Sequence, residues 1–314
     1  MELRHNLRYC LGNYLRQSSK CFEEQTEVAL ATLAWSICSI SMTILNKLAV
    51  NHTRAPIAVV IVQMLATCAM AAASCDLRFG AGWKLWAITV PPLFVLMMAT
   101  SMLALQYVTV GTFVVVRNLG PVVTLGVETA LHRPDNLRCD LRTTGSLLCI
   151  VVGVALYEAK DVKLSLVGLT YLFANLLFAC TERLVQRHLL AVKTVDVSKP
   201  ALMILNNGIG ALLATAVLQS FSPYEWHHIS HALRHRAGSG LALGLSCVVG
   251  CAISYSGLWL QRLVTATSFM VIGSTTKLVV ILFGIVAFAD ANGMLSIIGA
   301  GFSIAGSYGY ARLQ

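Results

Sequence analysis

A chain of 314 residues with 57% hydrophobic and only 12% charged residues, at a mean hydropathy of +0.73, excludes an ordinary soluble domain. Its formal charge of +9 sits mostly in short connections between apolar runs, so it is a topology signal and implies no nucleic-acid partner.

Residues 1–27 carry Arg4, Arg8, Arg16 and Lys20 but lack the apolar core and small-residue cleavage site of a secretory signal, and read as a retained cytoplasmic tail. The tail could meet an anionic leaflet, although a disordered, topology-setting segment is the simpler reading. Apolar segments then recur at 28–50, 55–75, 84–107, 109–131, 142–158, 166–188, 201–220, 239–261, 264–288 and 292–311. Most approach the about 20 residues that cross a bilayer core as a helix. The expected fold is an all-α polytopic membrane protein of about ten transmembrane helices, with almost no connection at Val108 and at Leu263. With the N-terminus in the cytoplasm, alternating connections place 15 basic residues there and 6 opposite. The first set includes Arg78, Lys84, Arg183, Arg187, Lys199 and Arg262; the second includes Lys47, Arg54, Arg234 and Arg236. That asymmetry puts both termini in the cytoplasm.

The first helix holds Trp35 and ends Ile44-Leu45-Asn46-Lys47, followed by a glycosylation sequon at Asn51-His52-Thr53 too close to the membrane for ready modification. The third helix leads through Gln106-Tyr107-Val108-Thr109-Val110-Gly111-Thr112-Phe113 into the fourth, which continues Arg117-Asn118-Leu119-Gly120-Pro121 to Glu128. Pro121 cannot donate to the carbonyl of Arg117 and would kink the helix there. In the seventh helix Asn206-Asn207 interrupts apolar sequence. The two amides point about 100° apart, so one can face a cavity and a flat base edge; an interhelical polar clamp is the alternative. His227, His228, His231 and His235 crowd the following connection, where a solvated loop is a simpler reading than zinc binding or proton sensing. The ninth helix runs from Val264 to Phe288 and carries Lys277 near its middle, reached through Gly273-Ser274-Thr275-Thr276. A cation at mid-depth costs at least about 2.5–3.5 kcal/mol, so it is expected to face a ligand or ion. Gly273 would let a ligand approach the backbone one turn earlier.

The joints entering helices four and nine share a pattern: Gln106 to Phe113 in one and Gln261 to Phe269 in the other, each with threonines before phenylalanine. Corresponding helices five apart imply two inverted five-helix repeats, 28–158 and 159–311, with a site at their interface. Arg117 and Lys277 would then lie at matching depths.

Asn206-Asn207, the Gly273-to-Lys277 frame, Asn46-Lys47 and the stretch Arg117-Asn118-Leu119 to Glu128 together resemble nucleotide-sugar transporters of the drug/metabolite transporter superfamily. The likeness is greatest to the GDP-mannose transporter group and runs through about residues 30–310. That group has Phe-Tyr-Asn-Asn where this chain has Ile204-Leu205-Asn206-Asn207, and Gly-Ala-Leu-Asn-Lys where it has Gly273-Ser274-Thr275-Thr276-Lys277. The resemblance implies a Golgi antiporter, with the endoplasmic reticulum as the other location, importing a nucleotide sugar against the nucleoside monophosphate; a homodimer is compatible with it. It assigns Asn206, Asn207 and Ser254 to the base. Arg117, Asn118, Gly273, Ser274, Thr275, Thr276 and Lys277 go to phosphates and sugar, and Trp35, Asn46, Lys47 and Phe269 to the cavity lining. The departures around Asn206 and Lys277 make the transporter class firmer than the base or sugar.

Fixed cations suit a polyanionic cargo, with arginine forking phosphate oxygens and lysine acting as a point charge. No nucleophile–base set or phosphate-cradling loop is legible, so neither an enzyme nor a cofactor is expected. Ten cysteines fall singly and read as small packing residues, not metal ligands. A UDP-sugar carrier and a sugar-phosphate or triose-phosphate translocator are the near alternatives, although Leu278 follows Lys277 where translocators have arginine. A non-transporting scaffold would gain little from two intramembrane cations.

Overall fold

The computed structural model describes residues 2–74, 76–107, 117, 119–131, 141–158 and 166–276, with helical residues 298–299, 301–302, 305–306 and 309–310 beyond them. Its helices are α1 (Glu2–Thr53), α2 (Pro56–Ala72), α3 (Trp83–Tyr107), α4 (Gly120–Leu131), α5 (Leu141–Glu158), α6 (Leu166–Arg187), α7 (Lys199–Phe221), α8 (Glu225–His235) and α9 (Ser239–Leu263), followed by α10 (266–276). A π-helical turn, His188–Val192, extends α6. Among the described residues four stretches are long and apolar enough to cross a bilayer: Glu23–Thr53, Trp83–Ser101, Lys199–Ser220 and Ser239–Leu263. Pro56–Ala72 and Leu141–Gly153 are shorter apolar helices. An all-helical, several-span membrane protein is the result.

Two elements differ from the sequence expectation. The basic N-terminal stretch is helical, because 1–27 contains no proline and is rich in Leu, Arg, Gln and Glu. It joins the first apolar run in one helix of 52 residues, about 78 Å long at about 1.5 Å per residue. The histidine-bearing connection is also a helix, α8. Its Glu225, Ile229 and Ala232 are buried, a spacing of four and three that forms one face. His227, His231 and His235 stack along an exposed face, with ring centroids 6.3 and 4.5 Å apart. Among the described residues no group of three or more His, Cys, Asp or Glu is arranged to hold a metal.

The break at Leu263 has a local cause. Val264 is extended, and Thr265 then caps α10, its Oγ1 accepting from Ser268 N at 3.1 Å while its hydroxyl donates to Ser268 Oγ at 2.9 Å. That N-cap, steadied by the hydroxyl–hydroxyl contact, restarts the helix immediately.

Helices pack as α1 on α9, α3 on α6 and α2 on α7, with α2 also on α9 and α3 on α7. Small residues allow close approach: Ala49, Ala58, Ala211 and Ala214 share a core with Ile61, Met64 and Leu218. A second core joins Trp86 and Val90 of α3 to Leu202 and Met203 of α7 and Leu258 of α9. Near the chain end, Gly306 lies so close to α5 that a Cβ there would meet Ile150 N at 2.8 Å. Polar side chains clamp across the bundle. Asn175 Nδ2 donates to Met97 O at 2.5 Å, and Gln63 Nε2 donates to Asn46 Oδ1 at 2.8 Å and to Ser246 Oγ at 2.9 Å. Cys38, Cys68, Cys149, Cys180, Cys247 and Cys251 are free thiols. Cys68 and Cys180 lie against the carbonyls of Ile204 and Gly120, as small packing residues do.

The two ends of the bundle are closed by different contacts. At one, the α2–α3 connection pairs antiparallel with the α6–α7 connection through a Phe79–Val197 bridge. Gly80 N donates to Asp196 O at 2.9 Å and Asp196 N to Ala81 O at 3.0 Å. At the other, Ala55 gives α2 no side-chain cap and Pro56 has no N–H to donate. Glu225, from α8, supplies what is missing: its Oε2 accepts from Ile57 N at 2.8 Å and Ala58 N at 2.9 Å. Arg236 Nη1 then donates to the carbonyls of Asn51 and His52 at 3.3 and 2.8 Å. Glu225→Ala is expected to cost about 1–2 kcal/mol, read as a lower unfolding temperature in detergent. Glu225→Gln, which keeps an acceptor, should lose less; equal losses would remove the capping role.

Candidate functional site

Six helices converge on a cavity of about 280 Å³ inside the bundle. Trp35 comes from α1, Phe94 from α3, Glu182, Arg183 and Gln186 from α6, and Met203, Asn206 and Asn207 from α7. From α9 come Ile253, Ser254, Gly257, Leu258 and Gln261, and from α10 Phe269. Pro91 and Pro92 lie inside α3 just before Phe94, at a point where the helix loses two backbone donors.

One wall is aromatic and cationic. The Trp35 and Phe269 rings are 4.7 Å apart at 52°, and the Arg183 guanidinium carbon lies 4.9 Å from the Phe269 centroid, a cation–π arrangement. Two glycines make room for the indole. A Cβ at Gly257 would approach Trp35 Nε1 to 3.3 Å, and one at Gly273 would approach Trp35 Cη2 to 3.4 Å. Gly273 therefore faces the edge of the Trp35 ring.

The floor is a polar chain along α6, where positions 182, 183 and 186 share a face. Glu182 is buried and its Oε2 lies 3.1 Å from Arg183 Nε. Gln186 Nε2 donates to Glu182 Oε1, and Arg183 Nη1 donates to Gln186 Oε1 at 3.2 Å. Removing Arg183 would leave the buried Glu182 without its adjacent cation, a destabilising change. Two buried polar atoms of this lining have no hydrogen-bond partner among the described residues, the acceptor Glu182 Oε2 and the donor Gln261 Nε2. Arg187, one turn beyond Arg183, donates to the carbonyls of Gln261 and Arg262 at 3.0 and 2.6 Å and so ties the ends of α6 and α9 together.

Of the residues expected from sequence, the structure brings Trp35, Asn206, Asn207, Ser254 and Phe269 to this cavity. Asn206 also clamps helices, its Oδ1 accepting from Trp86 Nε1 at 2.8 Å. Asn207 Nδ2 is turned back to Met203 O at 2.9 Å. Asn46 sits in the Gln63–Ser246 network, eleven residues or about 16 Å along α1 from Trp35. Thr275 and Thr276 donate to Val271 O and Ile272 O within α10, and Ser274 is buried. Arg117 Nη2 lies 3.7 Å from Met97 Sδ on α3. Lys277 and Asn118 lie outside the described residues, as do the side chains of Lys47 and Glu128.

The sequence reading missed Phe94, Glu182, Arg183, Gln186 and Gln261. It counted Arg183 among the cytoplasmic connections, whereas that side chain lines the cavity, leaving 15 − 1 = 14 residues against 6. The signal was present: Glu182-Arg183 follows the apolar run Leu166–Cys180 within the same helix, and an ionisable pair there marks a site by default.

A second cavity of about 140 Å³ lies at the end closed by the Phe79–Val197 bridge, with Arg78, Asp196, Lys199 and Arg262 in its lining. Lys199 Nζ stands 5.0 Å from the Tyr255 centroid and 5.5 Å from the Trp259 centroid.

A family profile described as the Triose-phosphate Transporter family matches residues 26–311. The GDP-fucose transporter 1 of Arabidopsis thaliana is 25% identical over 94% of this chain and 89% of its own length. The GDP-mannose transporter GONST1 of the same plant is 26% identical over 65% of this chain and 62% of its own. The GDP-mannose transporter of Kluyveromyces lactis is 25% identical over 65% and 63%. A solved protein structure superposes with a TM-score of 0.68 at 15% identity, covering 90% of this chain and 99% of that one, which shows the shared fold.

The Asn206–Trp86 contact separates a clamp from a reader. Because Trp86 is fully buried, Asn206→Ala should cost about 1–3 kcal/mol of stability. Combining it with Trp86→Phe should add much less than the two single changes do. Strict additivity in a double-mutant cycle on thermal unfolding would show that the bond does not matter.

Proposed function

Starting from a chain that belongs to the Triose-phosphate Transporter family, we propose that it is an antiporter of nucleotide sugars. It moves a nucleotide sugar, with GDP-sugars such as GDP-mannose favoured, into the Golgi lumen in exchange for the nucleoside monophosphate. One observation carries this reading: a cavity within the bundle that joins a guanidinium, Arg183, to the Phe269 ring and a ring of amides. A base needs an apolar face and hydrogen-bonding edges, and a phosphate needs a cation that forks its oxygens. A carrier of either alone would not need both in one chamber.

The architecture is two inverted five-helix repeats, 28–158 and 159–311. In support, exchanging α1 with α6, α2 with α7 and α3 with α9 turns the α1–α9 contact into α6–α3, and α2–α9 into α7–α3, while α2–α7 maps on itself; all are present. The same exchange turns one end contact, α2–α3 against α6–α7, into the other, α7–α9 against α1–α2. Repeats related in this way alternate access by rocking about a site at their interface. Both termini are cytoplasmic by the excess of basic residues on that side. This orientation places the Arg78–Lys199–Arg262 cavity on the cytoplasmic side, where its charge would concentrate an anionic cargo.

Within the site, Arg183 holds phosphate together with Arg117 and Lys277, and Asn118 and Gly273 to Thr276 shape the sugar and phosphate path. Trp35, Phe269, Asn206, Asn207 and Ser254 form the nucleoside end. Exchange follows if the unliganded cationic cavity reorients rarely and the occupied one readily. The names of the relatives, GDP-fucose and GDP-mannose transporters, favour a GDP-sugar over a UDP-sugar or a sugar phosphate.

Purified protein in liposomes loaded with GMP should take up GDP-mannose, and in empty liposomes it should take up little. Equal uptake in both would exclude obligatory exchange, and no uptake of any nucleotide sugar across a GDP, UDP and CMP panel would end the proposal. Lys277→Ala should abolish exchange of nucleotide sugar and monophosphate alike, while guanosine, which lacks phosphate, competes equally with both proteins. Lys277→Arg should retain part of the activity. Normal exchange by a folded Lys277→Ala protein would remove Lys277 from the phosphate site.

A further inference from the structure

Like charges fixed on neighbouring segments of backbone repel unless a counter-charge stands between them. The smaller cavity, of about 140 Å³, is such a place: Arg78, Lys199 and Arg262 share its lining with one carboxylate, Asp196. We propose that this cavity is a binding site for a phosphomonoester group, separate from the central chamber and filled by the headgroup of an anionic lipid or by a soluble phosphate. The inference goes beyond nucleotide-sugar exchange and does not rest on it.

The three cations come from three segments that hydrogen bonds lock to one another. Arg78 lies in the α2–α3 connection, where its N–H donates to Ser198 Oγ at 3.1 Å and its carbonyl accepts from Ser198 N at 3.1 Å. Lys199, the next residue, opens α7, so the Arg78 and Lys199 side chains leave a shared anchor. Arg262 stands near the end of α9, and its carbonyl accepts from Arg187 Nη1 at 2.6 Å, which ties that end to α6. The acids at hand do not neutralise the group. Asp196 is one charge against three. Asp76 meets Arg78 at 3.4 Å with both side chains exposed, a contact of small worth. Among the described residues Lys199 and Arg262 are in no ion pair.

Two guanidiniums and an ammonium match a phosphomonoester. Each guanidinium forks a pair of phosphate oxygens and the ammonium adds a point charge. A monoester brings a charge of about −1.5 to −2 at neutral pH, more than the single charge of a diester. The surroundings favour lipid as its source. Lys199 Nζ stands over the rings of Tyr255 and Trp259, one turn apart on α9. Tyr255 is exposed, and Trp259 Nε1 donates to Glu27 Oε1 at 2.9 Å. Tyrosine and tryptophan gather at the membrane–water boundary, which sets the cavity at headgroup depth. Basic pockets between helices at that depth, on the cytoplasmic side proposed above, take anionic headgroups.

Titration calorimetry on the full chain in neutral detergent tests the site, with dioctanoyl phosphatidic acid, dioctanoyl phosphatidylglycerol and inorganic phosphate as probes. Phosphatidic acid should bind about 10- to 100-fold more tightly than phosphatidylglycerol, whose phosphate is a diester. The double variant Lys199→Gln with Arg262→Gln should lose most of that affinity. Lys84→Gln with Arg234→Gln removes the same charge elsewhere and should keep it. If the first double variant does not fold, Lys199→Gln and Arg262→Gln are measured singly, and each should lose part. Tighter binding of phosphatidic acid than of inorganic phosphate assigns the site to a lipid headgroup. Inorganic phosphate binding as tightly or more so, with the same dependence on Lys199 and Arg262, assigns it to a soluble phosphate. The inference is overturned if no probe binds, if phosphatidylglycerol binds as tightly as phosphatidic acid, or if the two double variants lose affinity alike. None of these readouts involves transport, so their failure leaves the exchanger reading standing, and failed exchange leaves this site standing.

Discussion

The buried Glu182–Arg183 pair is the constraint around which the rest of the bundle is arranged. A guanidinium inside an apolar bundle must be paired, solvated or expelled. Here it is paired on its own helix, one position from its carboxylate, and its outer face rests on Phe269. The pairing allows Arg183 to stay at depth without a bound anion, and the cation–π contact holds its plane toward the chamber. Everything that forms the cavity follows from accommodating this group. Phe269 lies under it, Trp35 lies beside Phe269, and Gly257 and Gly273 leave the indole room at its edge.

Backbone polar groups impose the second requirement, because lipid offers them no partners. Within the helices they satisfy one another, and at the ends they need help from elsewhere in the chain. The α2 N-terminus, which opens with Ala55-Pro56, receives a carboxylate from Glu225. The connections at the opposite end pair with each other as short antiparallel backbone. In each case the contact joins one half of the chain to the other, so the devices that close the helix ends also hold the halves together.

The amides show how one side chain can serve packing and still line a cavity. Asn206 satisfies a buried indole N–H and still lines the chamber. Recognition built on a group already fixed by a neighbour pays less in lost side-chain freedom than recognition by a loose one. The same holds for Gln186, which orients both partners of the ion pair.

By itself the sequence determined the class and the spans, because hydropathy is a property summed along a chain and needs no partners. The apolar runs became helices at Pro56–Ala72, Trp83–Tyr107, Leu166–Arg187, Lys199–Phe221 and Ser239–Leu263, close to the expected limits. Residues of unusual character in their runs were legible too, and Trp35, Asn206, Asn207, Ser254 and Phe269 do meet in one cavity. What only the tertiary structure decided was which side of each helix faces inward and what each polar atom already holds. Arg183 lies one turn from a helix end, and counted along the chain it is a cytoplasmic charge; in three dimensions it turns into the chamber, because Glu182, Gln186 and Phe269 meet it there. Asn46 accepts from Gln63 Nε2, which also donates to Ser246 Oγ, a network of three helices that nothing in the neighbouring sequence signals. Glu225 carried no signal as a cap, because the N–H groups it receives lie 168 and 167 residues away. Hydropathy depends on a residue and its chain neighbours, whereas the partner of a buried polar atom is set by packing between segments distant in sequence, and that is where this site is made.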